Sequence, residues 1–245
     1  MNGEQIVRGG IIAAGAGMRL RRAGWTMPKP LVPVAGVPLI EHVIRNFVAA
    51  GISSLVIIVN EEGRECEAWM RSRFSTLDLE ILVKTTDSSL ESFLEVAGRL
   101  GSGRALISTV DALCVEEEFV AFVRTAGLFP ADATVLAVTP FVDDERPLWA
   151  RVDASGRVTS LGGDSGNVVT AGMYLVPERV RRMVPPPEVK RLRDFLVWLL
   201  NRGEPVYAVI VPAVVDVDRD EDILHAETLT RRREQAPGSR LRGPR

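Results

Sequence analysis

Lysine is nearly missing from this chain. Of 30 basic residues only Lys29, Lys84 and Lys190 are lysine; the rest are arginine. Where arginine is the default cation, a lysine fenced by prolines, Pro28-Lys29-Pro30, suggests a task for a compact, strongly hydrated ammonium on a flexible stem. Excess positive charge is missing too. The net charge is −2 over 245 residues and the pI about 5.9, which argues against a nucleic-acid partner. Long apolar runs are absent: the longest, Val206 to Val215, falls well short of the roughly 20 residues a membrane span needs. The opening MNGEQIVRGG has no basic stretch followed by an apolar one, so no signal peptide is expected. Cysteine is scarce: Cys66 and Cys114 lie far apart in no metal-like spacing, which suits free thiols in a reducing compartment. No internal repeat stands out. The expectation is a soluble, cytoplasmic protein without membrane contact. One domain would span 1–230, and an arginine-rich tail, 231–245, would be disordered. A homo-oligomer stays open.

What is present is an alternation of apolar and amphipathic segments. Strands are expected at Gly10–Ala14, Leu55–Val59, Leu79–Lys84, Arg104–Thr109 and Thr134–Thr139. Helices are expected between them at Pro38–Ala50, Glu62–Phe74, Ser88–Leu100 and Glu116–Ala126. Ser88 and Glu91 have the spacing of a capping box. Further on come a hairpin over Trp149–Asp153 and Arg157–Leu161, and a strand at Val169–Val176. A helix over Pro187–Arg202, a strand at Val206–Val211 and a last helix from about Asp218 complete the chain. This order predicts an α/β fold: a Rossmann-like α/β/α sandwich around a mixed, mainly parallel sheet.

Chemistry gathers at strand ends. After the first strand, Gly15-Ala16-Gly17 lets the backbone approach an anion, and Arg19, Arg21 and Arg22 add charge. A loop of this kind also serves as an ordinary turn. It fails the dinucleotide fingerprint, because Met18-Arg19-Leu20 stands where the third glycine belongs, and it lacks the G-K-[ST] of a P-loop. Arg19 to Pro28 lacks a helical pattern and reads as a flap. Pro28-Lys29-Pro30-Leu31 reads as a stiff extended segment aiming Lys29, with a solvated loop lysine as the alternative. Asp111 and Asp216 each follow an apolar strand, where parallel sheets present ligands. Together they suit one Mg²⁺ bridging a triphosphate. Asp218 is read as the cap of the last helix and Asp216 as the functional residue.

Ala14-Gly15-Ala16-Gly17-Met18-Arg19, followed by Pro28-Lys29-Pro30-Leu31-Val32-Pro33-Val34-Ala35-Gly36-Val37-Pro38-Leu39-Ile40, resembles the signature of sugar-phosphate nucleotidyltransferases (NDP-sugar pyrophosphorylases). Ala171-Gly172-Met173-Tyr174 looks like that family's strand bordering the sugar, and Val215 to Asp222 like its second metal-aspartate segment. The resemblance implies a Mg²⁺-dependent enzyme that joins a nucleoside triphosphate to a sugar-1-phosphate or similar phosphorylated small molecule and releases pyrophosphate. It implies that Ala14, Gly15, Ala16, Gly17, Arg19 and Lys29 hold the triphosphate, with Arg19 and Lys29 serving catalysis. Asp111 and Asp216 would ligate Mg²⁺, and Gly172 and Tyr174 would border the acceptor.

The chain departs from that pattern in places. Val110 replaces a glycine before the first metal aspartate. Where relatives carry Glu-Lys-Pro, with its lysine on the sugar phosphate, this chain reads Ser160-Leu161-Gly162-Gly163-Asp164; Arg151 or Arg146 is the expected substitute. Ser88 either meets the nucleotide or only caps its helix. The Ala-Ala-Gly form of the loop leans towards cytidine- and uridine-using relatives. Two alternatives remain: an acceptor other than a sugar, such as a methylerythritol phosphate or molybdopterin, and a regulatory protein that binds nucleotide or sugar without turnover.

Overall fold

A computed structural model describes residues 8–140 and 146–235. Its first strand, β1 (Arg8–Ala13), leads into the short helix α1 (Met18–Arg22) and a 3-10 turn at Lys29–Leu31. A small ribbon, β2 (Pro33–Val34) with β3 (Val37–Pro38), precedes α2 (Leu39–Ala49). Then follow β4 (Ser54–Val59), α3 (Glu65–Arg73), β5 (Asp78–Val83), α4 (Ser89–Ala97), β6 (Ala105–Thr109), β7 (Ala112–Leu113), α5 (Glu116–Ala126) and β8 (Thr134–Thr139). The second half holds β9 (Trp149–Val152), β10 (Val158–Leu161), β11 (Val168–Val176), α6 (Glu178–Arg181), α7 (Leu192–Asn201), β12 (Val206–Ile210), β13 (Val215–Asp216) and α8 (Asp220–Gln235).

The expected mixed sheet is present. Its parallel block runs β6-β1-β4-β5, and β11 joins antiparallel to β6. Beyond β11 lie the hairpin β9–β10 and the parallel pair β8–β12. Helices cover both faces because both faces of the central strands are apolar. Phe47 of α2 and Phe119 of α5 belong to one buried cluster; Phe93 of α4 and Phe195 of α7 belong to the other. The two glycines of β1 let the layers close. A Cβ on Gly9 would lie 2.3 Å from Phe47, and one on Gly10 would lie 2.4 Å from Val96.

Four local expectations need correction. Met18–Arg22 is helical: only Leu20 of its five residues is buried, too little for an apolar stripe to show. Lys29–Leu31 is a 3-10 turn rather than an extended segment, closed by the Leu31 N–H donating to the Pro28 carbonyl at 2.8 Å. Helix α7 starts at Leu192, not Pro187, since Pro185, Pro186 and Pro187 strip the segment of backbone donors. Helix α8 continues to Gln235, past the expected start of the tail; 236–245 lie outside the described residues. No helix among the described residues is long and apolar enough to cross a membrane.

Candidate active site

The site begins where β1 and β6 end side by side. Ile12 pairs with Thr109, and the Val110 N–H donates to the Ile12 carbonyl at 3.0 Å. The glycine loop and Asp111 therefore leave the sheet as neighbours. Ribbon β7–β13 pairs Ala112 with Asp216, and the Val217 N–H donates to the Asp111 carbonyl at 3.1 Å. This short ribbon brings together two aspartates more than a hundred residues apart in the chain. Carboxylate oxygens of Asp111, Asp216 and Asp218 lie within 4.8 Å of one another.

Lys29 enters this cluster from the other side. Its ammonium donates to Asp111 Oδ2 at 2.7 Å and to Asp218 Oδ1 at 2.5 Å, and its side chain is only 6% exposed. Burial alone would lower its pKa. The charges of Asp111, Asp218 and Asp216 outweigh that and hold it above the usual lysine range. Asp111 responds in the opposite sense: burial would raise it, but Lys29 and a hydrogen bond from Thr109 hold it below the usual carboxylate range. The solvated-loop alternative for Lys29 is thereby corrected.

Asp218 is also corrected. Asp222 does the capping, accepting the N–H groups of Asp218 and Arg219 at 2.8 and 2.6 Å. The Asp218 carboxylate faces the site, with Oδ1 on Lys29 and Oδ2 accepting from Arg19 at 2.7 Å. Composition hid this, because any of the four aspartates between 216 and 222 can cap a helix.

Two clefts meet at Asp111. One, about 350 Å³, is bordered by Ala14, Gly15, Ala16, Lys29, Asn60 and Ser88. Gly15 in this cleft has an ordinary φ, and a Cβ there would meet nothing within 4 Å, so neither strain nor packing within the fold requires a glycine. Gly17 is different. It sits at φ +61° before α1, and a Cβ would press on Lys29 at 3.0 Å. Asn60, which the sequence reading missed, ties the loop down. Its amide donates to the Gly15 carbonyl at 3.2 Å while its oxygen accepts from the Gly63 N–H at 2.7 Å. Ser88 both borders the cleft and accepts the Glu91 N–H at 3.1 Å.

The other cleft, about 300 Å³, includes Thr139, Leu148, Thr170, Gly172, Tyr174 and Asp216 in its lining. Gly172 sits at φ +70°, inside a register shift of β11, and a Cβ would strike Ala112 at 2.6 Å and Thr109 Oγ1 at 2.7 Å. Burial pushes the Tyr174 phenol up, and Asp111 and Asp216 add to that. Ser89, Thr109 and Asp111 border both clefts. Arg151 does not reach this cleft. Its strand β9 turns it outward, where it donates to Ser165 Oγ at 3.0 Å. Arg146 is likewise exposed and outside the lining. The arginines that do line the cleft are Arg191 and Arg193, at the start of α7.

Residues 9–176 match the family model described as MobA-like NTP transferase domain. The chain belongs to that family. Among curated proteins, the N-acetylmuramate alpha-1-phosphate uridylyltransferase of Caulobacter vibrioides is 31% identical over 68% of this chain and 65% of its own length. The bifunctional IPC transferase and DIPP synthase of Rubrobacter xylanophilus is 27% identical over 93% of this chain and 52% of its own. The chain thus spans between half and two thirds of these relatives. Among solved structures, the inositol-1-phosphate CTP transferase from T. maritima superposes with a TM-score of 0.79 at 17% identity, covering 91% of this chain and 96% of that one. That likeness shows a shared fold.

Proposed function

We propose that the protein is a nucleotidyltransferase that joins a nucleoside triphosphate to a phosphorylated small molecule of the sugar-1-phosphate class. The observation that carries this is the meeting of two clefts at Asp111, one edged by the glycine loop and Lys29, the other by β11. The triphosphate takes the first cleft and the acceptor the second. An acceptor phosphate oxygen attacks the α-phosphorus. The new P–O bond forms as the α–β bridge bond breaks, and pyrophosphate leaves with that electron pair. Such chemistry needs positioning and charge more than covalent help.

Lys29 places its ammonium at the seam between the clefts, and Arg19 adds a second cation beside it. Asp218 orients both through its two oxygens. The donors at the seam are hard carboxylate oxygens, a set that fits Mg²⁺. Asp111 and Asp216 would hold the ion: both Asp218 oxygens are engaged, by Lys29 and Arg19, whereas Lys29 takes one oxygen of Asp111. Bound there, Mg²⁺ would neutralise charge on the triphosphate. Convergence of Arg19, Lys29, Asp111 and Asp216 favours turnover over a purely regulatory role. The two relatives named above carry transferase names, and the first names a sugar phosphate as its substrate.

The test is pyrophosphate release with Mg²⁺, each NTP and dTTP, against sugar-1-phosphates, phosphocholine and inositol phosphate. Release with one NTP–acceptor pair, abolished by EDTA, is the expected result. Nucleotide binding without release from any pair would favour the regulatory alternative.

A further inference from the structure

The acceptor cleft carries charges of both signs. Among the described residues its charged lining is Asp111 and Asp216 at the seam and Arg191 and Arg193 at the start of α7. Among the described residues, no glutamate, glutamine or asparagine lines it. An acceptor phosphate that approaches a triphosphate is an anion moving towards an anion, so a cation must meet it from the acceptor side. Neither Arg151 nor the Leu161-Gly162-Gly163-Asp164 turn supplies one there.

The two arginines are not equivalent. Arg191 spends its fork on Asp194, with Nε to Oδ2 at 2.9 Å and Nη2 to Oδ1 at 3.0 Å. Arg193 donates Nη2 to the Arg146 carbonyl at 2.7 Å, while the charge of the neighbouring Asp194 is held chiefly by the fork of Arg191. A carbonyl steadies a guanidinium without neutralising it. Arg193 lines the same cleft as Tyr174, Asp111 and Asp216, and its charge acts on the Tyr174 phenol.

Resting on the nucleotidyl-transfer reading, we propose that Arg193 grips the tetrahedral phosphoryl group of the acceptor, a phosphate monoester or a phosphonate. A planar guanidinium held at one corner presents its remaining N–H groups as a fork for two such oxygens. The rest of the acceptor lies against the hydroxyls of Thr139 and Thr170 and the apolar Leu148, Val169 and Val214. That wall suits a molecule richer in apolar or acylated surface than a bare polyol.

Calorimetric titration of the intact protein with methyl phosphate and, separately, methylphosphonate tests this without turnover. Arg193→Gln should weaken binding at least tenfold, Arg193→Lys should restore part of it, and Arg151→Gln should stay within twofold of wild type. Which of the two anions binds more tightly indicates the source of the phosphoryl group. Wild-type affinity in Arg193→Gln, with its fold verified by circular dichroism, would overturn the proposal, as would no binding of either anion by the wild type. Anion binding that depends on Arg193, in a protein that releases no pyrophosphate, would sink the transfer reading and leave the Arg193 site standing.

Discussion

The two clefts that meet at Asp111 are built in different ways. The glycine-loop cleft draws Ala14, Gly15, Ala16 and Lys29 from one stretch of sixteen residues. The cleft proposed for the acceptor draws on β6, β11, α7 and the segments before β9 and β13. Their glycines differ as well. Gly172 is demanded by the fold, through a positive φ and the contact with Ala112, whereas Gly15 is demanded by nothing inside the protein. Asn60, Thr85 and Ser88 complete the first cleft, but its loop can present one backbone face to every triphosphate. The scattered lining of the second can change one element at a time.

The comparison breaks most visibly at the seam. Asp111→Asn should lower turnover by about 10³-fold, the scale of a lost charge-handling group in phosphoryl transfer, whichever acceptor is used. Steady-state kinetics on both substrates checks this. Lys29→Met should lower kcat by about 10²–10³-fold. It should also alter the acid limit of stability. The Asp111 pKa is depressed in the folded protein, so its contribution is present above the unfolded value and lost as pH falls through the folded one. Without Lys29 the depression shrinks, so the share of stability that acidification removes should be smaller. Melting curves from pH 3 to 7 would show this, and superimposable acid limbs would refute it.

The glycines sharpen the contrast at smaller cost. Gly172→Ala should destabilise the fold by about 1–3 kcal/mol, since strain and a steric clash act together. Denaturant unfolding measures that, and a shifted Ala112 should raise the acceptor KM as well. Gly15→Ala should leave stability within about 0.5 kcal/mol of wild type. Its methyl group would project into open space, so the loss should appear in nucleotide affinity alone, by about tenfold or more. Equal stability losses at the two positions would erase the distinction.

Legibility in the sequence followed the same division. The central strands and helices were readable because buried parallel strands are apolar throughout and their helices carry clear stops such as Gly51. Lys29 and Asp111 were readable because a proline-fenced lysine and a strand-end aspartate each carry a local signal. Arg193 was not, because it lies in a chain where arginine is everywhere and no local pattern marks the one that faces a cleft. Asp218 was misread for a related reason: capping and cation-holding ask for the same side chain. Asn60 follows a strand and looks like turn punctuation. Only the three-dimensional neighbourhood of Gly15 and Gly63 reveals its bracing role.

The central claim is that one phosphoryl bond forms across Asp111 between the occupants of the two clefts. Phosphorus NMR of the protein with Mg²⁺, an NTP and a phosphorylated acceptor observes that bond directly. We expect a coupled pair of diphosphate diester resonances growing in step with free pyrophosphate, and neither in Asp111→Asn. Conversion of the NTP to nucleoside monophosphate and pyrophosphate, with the acceptor resonance unchanged across the acceptor panel, would contradict it.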